Sequence, residues 1–246
     1  MDRIELLKGG YTIPEARDLQ LKYKNILQKQ NVEDLDINNY AEIRYVSGVD
    51  VSYFTDNNGV EWGVACATLW NIQEGKLITS NYFHDQVSFP YEPGFLGFRE
   101  CRLMAQAIKK LDEKPEVIMC DGHGIIHPRR MGEATHLGLS IDTSTFGVAK
   151  NPFVGYSEWK NMNRTKGSKA PVHSETKLSK PTNKELLGYA ICLSNGRKPV
   201  FISTGYKISL KLTLKVALRT TNNTRQPKPL QMADLLSRQK VNRFNK

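Results

Sequence analysis

Val117-Ile-Met-Cys120-Asp121-Gly122-His123-Gly124-Ile-Ile-His127-Pro-Arg129-Arg130-Met-Gly132-Glu-Ala-Thr-His136-Leu-Gly138 is the most informative run of the chain. Val117 to Cys120 is short and apolar, the style of a buried central strand. Asp121 follows it directly. From Asp121 to Gly138 fall three of the five histidines, four glycines and two arginines. A core gains nothing from that mixture, and a plain strand-to-helix turn needs one glycine, not four. An acid at a strand end, glycines that let backbone approach a ligand closely, and nearby cations suit a metal held against phosphate. Arg130 to Leu139 then reads as a short helix.

Outward from this run, residues 13 to 30 predict a helix, with Leu19, Tyr23, Ile26 and Leu27 on one face. Tyr45 to Tyr53, Trp62 to Ile72 and Leu77 to Val87 predict an antiparallel meander. Phe98 to Leu111 predicts a helix, and Thr145 to Ala149 a strand that ends at Lys150. Residues 151 to 184, rich in Lys, Ser, Asn and Thr and broken by prolines, read as an irregular insertion with some edge strand. Tyr189 to Leu193 and Val200 to Ser203 predict strands, Ile208 to Arg219 and Leu230 to Phe244 helices, with a break at Gln226-Pro-Lys-Pro229. This order predicts an α/β fold: a ribonuclease H-like mixed β-sheet flanked by helices, in a single domain over 1–246 with a basic helical part at about 206–246. Ligands in such sheets gather where strand ends meet helix N-termini.

Composition narrows the class. The 246 residues are 39 % hydrophobic, enough for a sizeable core. No run of eighteen apolar residues exists, so no membrane span is expected. The start, Met1-Asp-Arg-Ile-Glu, lacks the apolar stretch of a signal peptide. Cys66, Cys101, Cys120 and Cys192 are widely spaced and read as buried free thiols in a reducing cytoplasm, not zinc ligands. The net charge is +10. From Arg197 to Lys246 there are twelve Lys or Arg and one acid, Asp234. A polyanionic partner, nucleic acid before an acidic membrane surface, stands beside the plain alternative of a solvated basic face.

Asp50 sits inside an apolar strand, Gly48-Val49-Asp50-Val51. Burying a lone carboxylate is expensive, so it needs a cation or donors. If its strand lies beside the one ending in Asp121, the two acids meet, and like charges that close repel unless a metal sits between them. Oxygen ligands suit Mg²⁺ or Mn²⁺. Between them runs Phe89-Pro90-Tyr91-Glu92-Pro93-Gly94-Phe95-Leu96-Gly97-Phe98-Arg99-Glu100. Two prolines bracket Tyr91 on a stiff tip. Such a tip can enter a base stack and fill the gap left by an extruded nucleotide. Glu100 opens the next helix, close enough to join a metal cluster.

These motifs resemble the endonuclease V family, nucleases that act at inosine in DNA or RNA. The resemblance rests on Gly48 to Val51, on Pro90 to Glu100, on Asp121 to Arg130, on Gly147-Val148-Ala149-Lys150, and on Phe201 to Leu210 with one departure. A weaker echo runs from Lys228-Pro-Leu to Leu236. The resemblance implies a metal-dependent endonuclease that hydrolyses the second phosphodiester bond 3′ to the deaminated base, in DNA repair or RNA processing. It implies Asp50, Glu100 and Asp121 as metal-binding acids, with Mg²⁺ as cofactor and Mn²⁺ as substitute, and Lys150 beside the scissile phosphate. It implies Pro90, Tyr91, Glu92 and Pro93 as a strand-separating wedge, Gly122 and Gly124 at the pocket for the flipped base, and His127, Arg129 and Arg130 along the nucleic-acid backbone. A monomer is expected.

The departure is Tyr206, where the family has a histidine near the metal site. It opens an alternative: a protein that binds inosine or branched nucleic acid but cleaves weakly. A third reading is a structure-specific nuclease indifferent to the base. A nicking assay with metal, on inosine and undamaged oligonucleotides, separates the three.

Overall fold

The computed structural model describes residues 3–28, 40–174 and 184–244. Its centre is an eight-stranded mixed sheet: β1 (Tyr45–Thr55), β2 (Glu61–Asn71), β3 (Lys76–Gln86), β4 (Val117–Cys120), β5 (Ser144–Ala149), β6 (Lys169–His173), β7 (Leu186–Ile191) and β8 (Val200–Tyr206). The spatial order is β3-β2-β1-β4-β5-β8-β7-β6. The expected meander is present, since β1 pairs antiparallel with β2 and β2 with β3. β4 lies between β1 and β5 and is parallel to both. It is buried along its whole length, which is why Val117 to Cys120 read as a continuous apolar run and not an alternating one.

The described residues form five α-helices, α1 (Ile13–Gln28), α2 (Leu96–Lys109), α3 (Glu133–Ile141), α4 (Leu210–Arg219) and α5 (Lys228–Phe244), of which α2 to α5 pack on the sheet. On one face, Leu103 and Met104 of α2 and Leu137 of α3 pack on Val49, Val51, Ile118 and Cys120. Tyr23 of α1 packs beneath, on Met131 and Leu139. On the opposite face, Leu212 and Val216 of α4 and Leu230 of α5 pack on Val46, Met119, Phe146 and Val148. Successive side chains of β1 and β4 point to opposite faces and therefore feed two cores, one per face. Gly48 is bare because the backbone of Pro229 and Leu230 lies where a Cβ would stand.

Some boundaries differ from the sequence expectation. The helix expected from Arg130 begins only at Glu133, because Arg130 adopts left-handed backbone (φ 59°) that no helix continues through. α1 ends at Gln28, and residues 29 and 30 lie outside the described residues. The described part of the insertion at 151–184 holds one 3-10 turn, Trp159–Asn161, and β6, which is one of the two edge strands of the sheet; residues 175–183 lie outside the described residues. All four cysteines are free and buried. Among the described residues no helix is long and apolar enough to cross a membrane.

Candidate active site

Val49 of β1 stands level with Cys120 of β4. Asp50 and Asp121, the next residues on parallel neighbours, are therefore about 4.8 Å apart at their backbones. Asp50 points toward α5, as do the residues two places on either side: Gly48 against Pro229, and Ser52 sharing a 2.7 Å hydrogen bond with Ser237. A cleft of about 500 Å³ opens there, lined by Asp50, Asp121, Lys150, Asp234 and Arg238 among others. Lys150 Nζ donates to Asp121 Oδ2 at 2.6 Å, and Gln226 Nε2 to Asp121 Oδ1 at 3.1 Å. The Asp50 carboxyl is pushed up to about 8, by burial first and then by the charges of Asp121, Glu100 and Asp234. Four acids thus crowd one strand end.

Glu100 is the fifth residue of α2, buried, and accepts a hydrogen bond from the Tyr53 hydroxyl. Glu133, the first residue of α3, is only 3 % exposed and its carboxyl lies against that of Glu100. No N–H or O–H donor reaches either Glu133 oxygen. Burial and the facing Glu100 carboxylate raise Glu133 well above the usual range, and burial raises Glu100 as well. Glu133 was not expected as a site residue. In the sequence it reads as an acid favouring a helix N-terminus.

The Pro90–Pro93 loop, expected as a wedge, stands beside Glu133. Tyr91 is 73 % exposed at the tip of the Pro90–Pro93 loop. The base of the loop is fixed by Phe89, Phe95 and Phe98, which pack together, and by Arg99, which donates to the Phe89 carbonyl at 2.7 Å. Gly94 turns the chain with φ 85°, and its carbonyl lies 3.0 Å from both His127 Nε2 and Arg129 Nη2. Between the wedge and the Asp121 loop lies a second cavity of about 220 Å³. Tyr91, Gly122, His123, His127, Glu133 and Phe153 are among its walls. Its volume equals that of roughly seven liquid waters, which suits one flat bicyclic base. Burial pushes His123 down to about 4 and His127 to about 3, so both are neutral, flat walls near pH 7. His123 stacks on Phe153, centroids 5.8 Å apart. The base-sized cavity and the acid cleft share one peptide: Asp121 lines the cleft and Gly122 the cavity.

Four expected site residues are placed differently. Tyr206 pairs with Thr145 at the start of β5, the opposite end from Lys150. Its hydroxyl accepts from Arg3 Nη1 at 2.8 Å and donates to Asp142 at 3.0 Å, in a cluster with Leu6, Tyr23 and Leu139. The departure at this position therefore removes nothing from the acid cleft. Gly124 packs on the Thr204 backbone and donates its N–H to Ser203 Oγ at 3.0 Å, away from the cavity. Arg129 is occupied by Gln20, by the Gly94 carbonyl and by the Phe95 ring, 4.4 Å below it. Arg130 pairs with Glu185 at 2.8 Å and donates to the His127 carbonyl. Both arginines brace the Pro90–Pro93 loop and the Asp121 loop in this structure. The expectation also missed Asp234, Phe153 and Tyr53. Asp234 carried a signal, as the one acid in a basic tail.

The donors of Asp50, Glu100, Asp121 and Asp234 are all oxygens, crowded and repelling, which fits a hard divalent cation such as Mg²⁺ or Mn²⁺. Among the described residues no three potential ligands already form a finished cage. Lys150 meanwhile balances Asp121.

The family model for endonuclease V matches residues 25–235. An endonuclease V of Nostoc punctiforme is 36 % identical over 227 residues, 92 % of this chain and 94 % of its own. The crystal structure of an endonuclease V from Streptomyces avermitilis superposes with a TM-score of 0.79 at 30 % identity, covering 96 % of each chain. Ciona intestinalis endonuclease V, in complex with a 24mer DNA containing an inosine followed by a ribo-adenosine, superposes at 0.78 with 29 % identity over 94 % of this chain and 98 % of that one. With the model spanning most of its length and a relative more than one-third identical throughout, this chain belongs to the endonuclease V family.

Proposed function

We propose that this protein is a metal-dependent endonuclease that recognises inosine in nucleic acid and hydrolyses the second phosphodiester bond 3′ to it. The observation that carries this reading is the shared Asp121–Gly122 peptide, which sets a base-sized cavity beside an acid cleft. The DNA in the Ciona intestinalis complex contains inosine, and that protein covers nearly all of this chain. A divalent cation held by Asp50, Glu100, Asp121 and Asp234 would supply a water of lowered pKa and offset charge at the phosphate. Tyr91 fills the stack left by the extruded base. Weak pairing at inosine makes extrusion easier there than at an intact pair. Lys150, released from Asp121, donates to the phosphate as its charge grows.

The test offers inosine-containing and undamaged strands, as DNA and as RNA, with Mg²⁺, Mn²⁺ or EDTA, and maps the cut. Cutting at the second 3′ bond only with inosine and metal is expected. Equal cutting of undamaged strands would favour a nuclease indifferent to the base. The reading as a binder with weak catalysis rested on Tyr206, which lies at the other end of β5.

A further inference from the structure

A further cavity lies away from the acid cleft. It is an open groove of about 750 Å³ between α4 and the strands β6 and β7. Lys166, Lys169, Lys211, Lys215 and Arg219 line it, with no acidic residue among its walls. Its floor is apolar: Leu210, Leu214, Leu218 and Tyr189. Lys169 Nζ stands 4.7 Å from the centre of the Tyr189 ring, and Lys215 Nζ 4.3 Å from that of Tyr40.

Its direction is informative. β8 ends at Tyr206, the end of the sheet remote from Lys150, and α4 runs back from there. α4 leads into the loop whose Arg225 donates to the Lys150 and Pro199 carbonyls and whose Gln226 donates to Asp121. The groove therefore runs beside a helix that ends at the catalytic loop, on the α5 face to which Asp50 also points. Ten residues of α4 make it about 15 Å long.

A cationic rim over an apolar, partly aromatic floor matches the two faces of a single strand, which offers phosphates on one side and unpaired bases on the other. A closed duplex has no bases to set on Leu214, Leu218 and Tyr189. We propose that this groove is a track for single-stranded nucleic acid, taking the cut strand as it leaves the acid cleft. The proposal rests on the nuclease reading for the identity of the strand, and on the groove itself for binding.

The test uses the full chain in EDTA, so nothing is cut. Fluorescence anisotropy follows labelled single strands of about 8 and about 20 nucleotides, the longer one exceeding the usual site size of about 4–16. One series carries inosine and is lengthened on its 5′ or its 3′ side; the other is undamaged. The wild type should bind the strand lengthened on one side about 10-fold tighter than the short one. Lys211→Ala/Lys215→Ala/Arg219→Ala should abolish that gain and flatten the salt slope by about two, at roughly 0.7 per lost phosphate contact. Its cutting of the short inosine strand with Mg²⁺, and its melting temperature, should match the wild type. A gain retained in the triple variant, or no gain on either side in the wild type, overturns the track. If inosine proves irrelevant, the undamaged series still decides the groove, so the two readings fail separately.

Discussion

At the scale of single residues, position matters more than type. Asp50→Ala and Asp121→Ala should abolish cleavage while inosine binding in EDTA stays within a few-fold, because the acids line the cleft and not the base-sized cavity. Full cleavage by either variant would remove the metal assignment. Tyr206 argues the reverse case. Its phenol bridges Arg3 and Asp142 at the far end of β5, so Tyr206→Phe should lower stability by about 1 kcal/mol and leave the cleavage rate unchanged. A large loss of rate with unchanged melting temperature would restore Tyr206 to the site. Glu133 shows why some of the site was illegible. An acid opening a helix is common in exposed positions; only the fold reveals that this one is buried against Glu100. Asp50, by contrast, announced itself, since a lone acid in an apolar strand has few innocent explanations.

At the scale of elements, strands and helices were legible wherever one periodicity ruled. β4 matched its apolar run, and the three strands of the meander pair antiparallel as expected. The Asp121 loop was legible as a site but not in its details. Its glycines serve contacts between segments distant in sequence, and sequence alone does not show which neighbour each meets. Gly124 is pressed to the Thr204 carbonyl, so Gly124→Ala should destabilise the protein by roughly 1–3 kcal/mol, read as a lower melting temperature. An unchanged value would mean that β8 can yield. The wedge is a different kind of element, a stiff loop with one aromatic at its tip. Tyr91→Ala should weaken binding to inosine in duplex more than in single strands, because only a duplex has a stack to open. Equal loss on both would count against a wedge.

At the scale of the whole molecule, charge and order of assembly set behaviour. Asp50 is raised from 3.8 to about 8 in the folded protein. Between those values the folded state binds more protons than the unfolded chain, so stability falls as pH rises from about 4 to about 8. Without metal, the melting temperature should therefore drop across that window, and Asp50→Asn should flatten the drop. A melting temperature that rises there in both proteins would show that other groups dominate. The acids come from residues 50, 100, 121 and 234, and the last rides on α5, which covers the middle of the sheet. A ribosome making roughly 5–20 residues per second needs about 10–40 s to travel from the first acid to the last. Throughout that time the growing chain carries at most three acids of the cleft and no fourth acid. A chain halted before Lys228 lacks α5 and with it Asp234, so the acid cleft is completed only by the last element to be made.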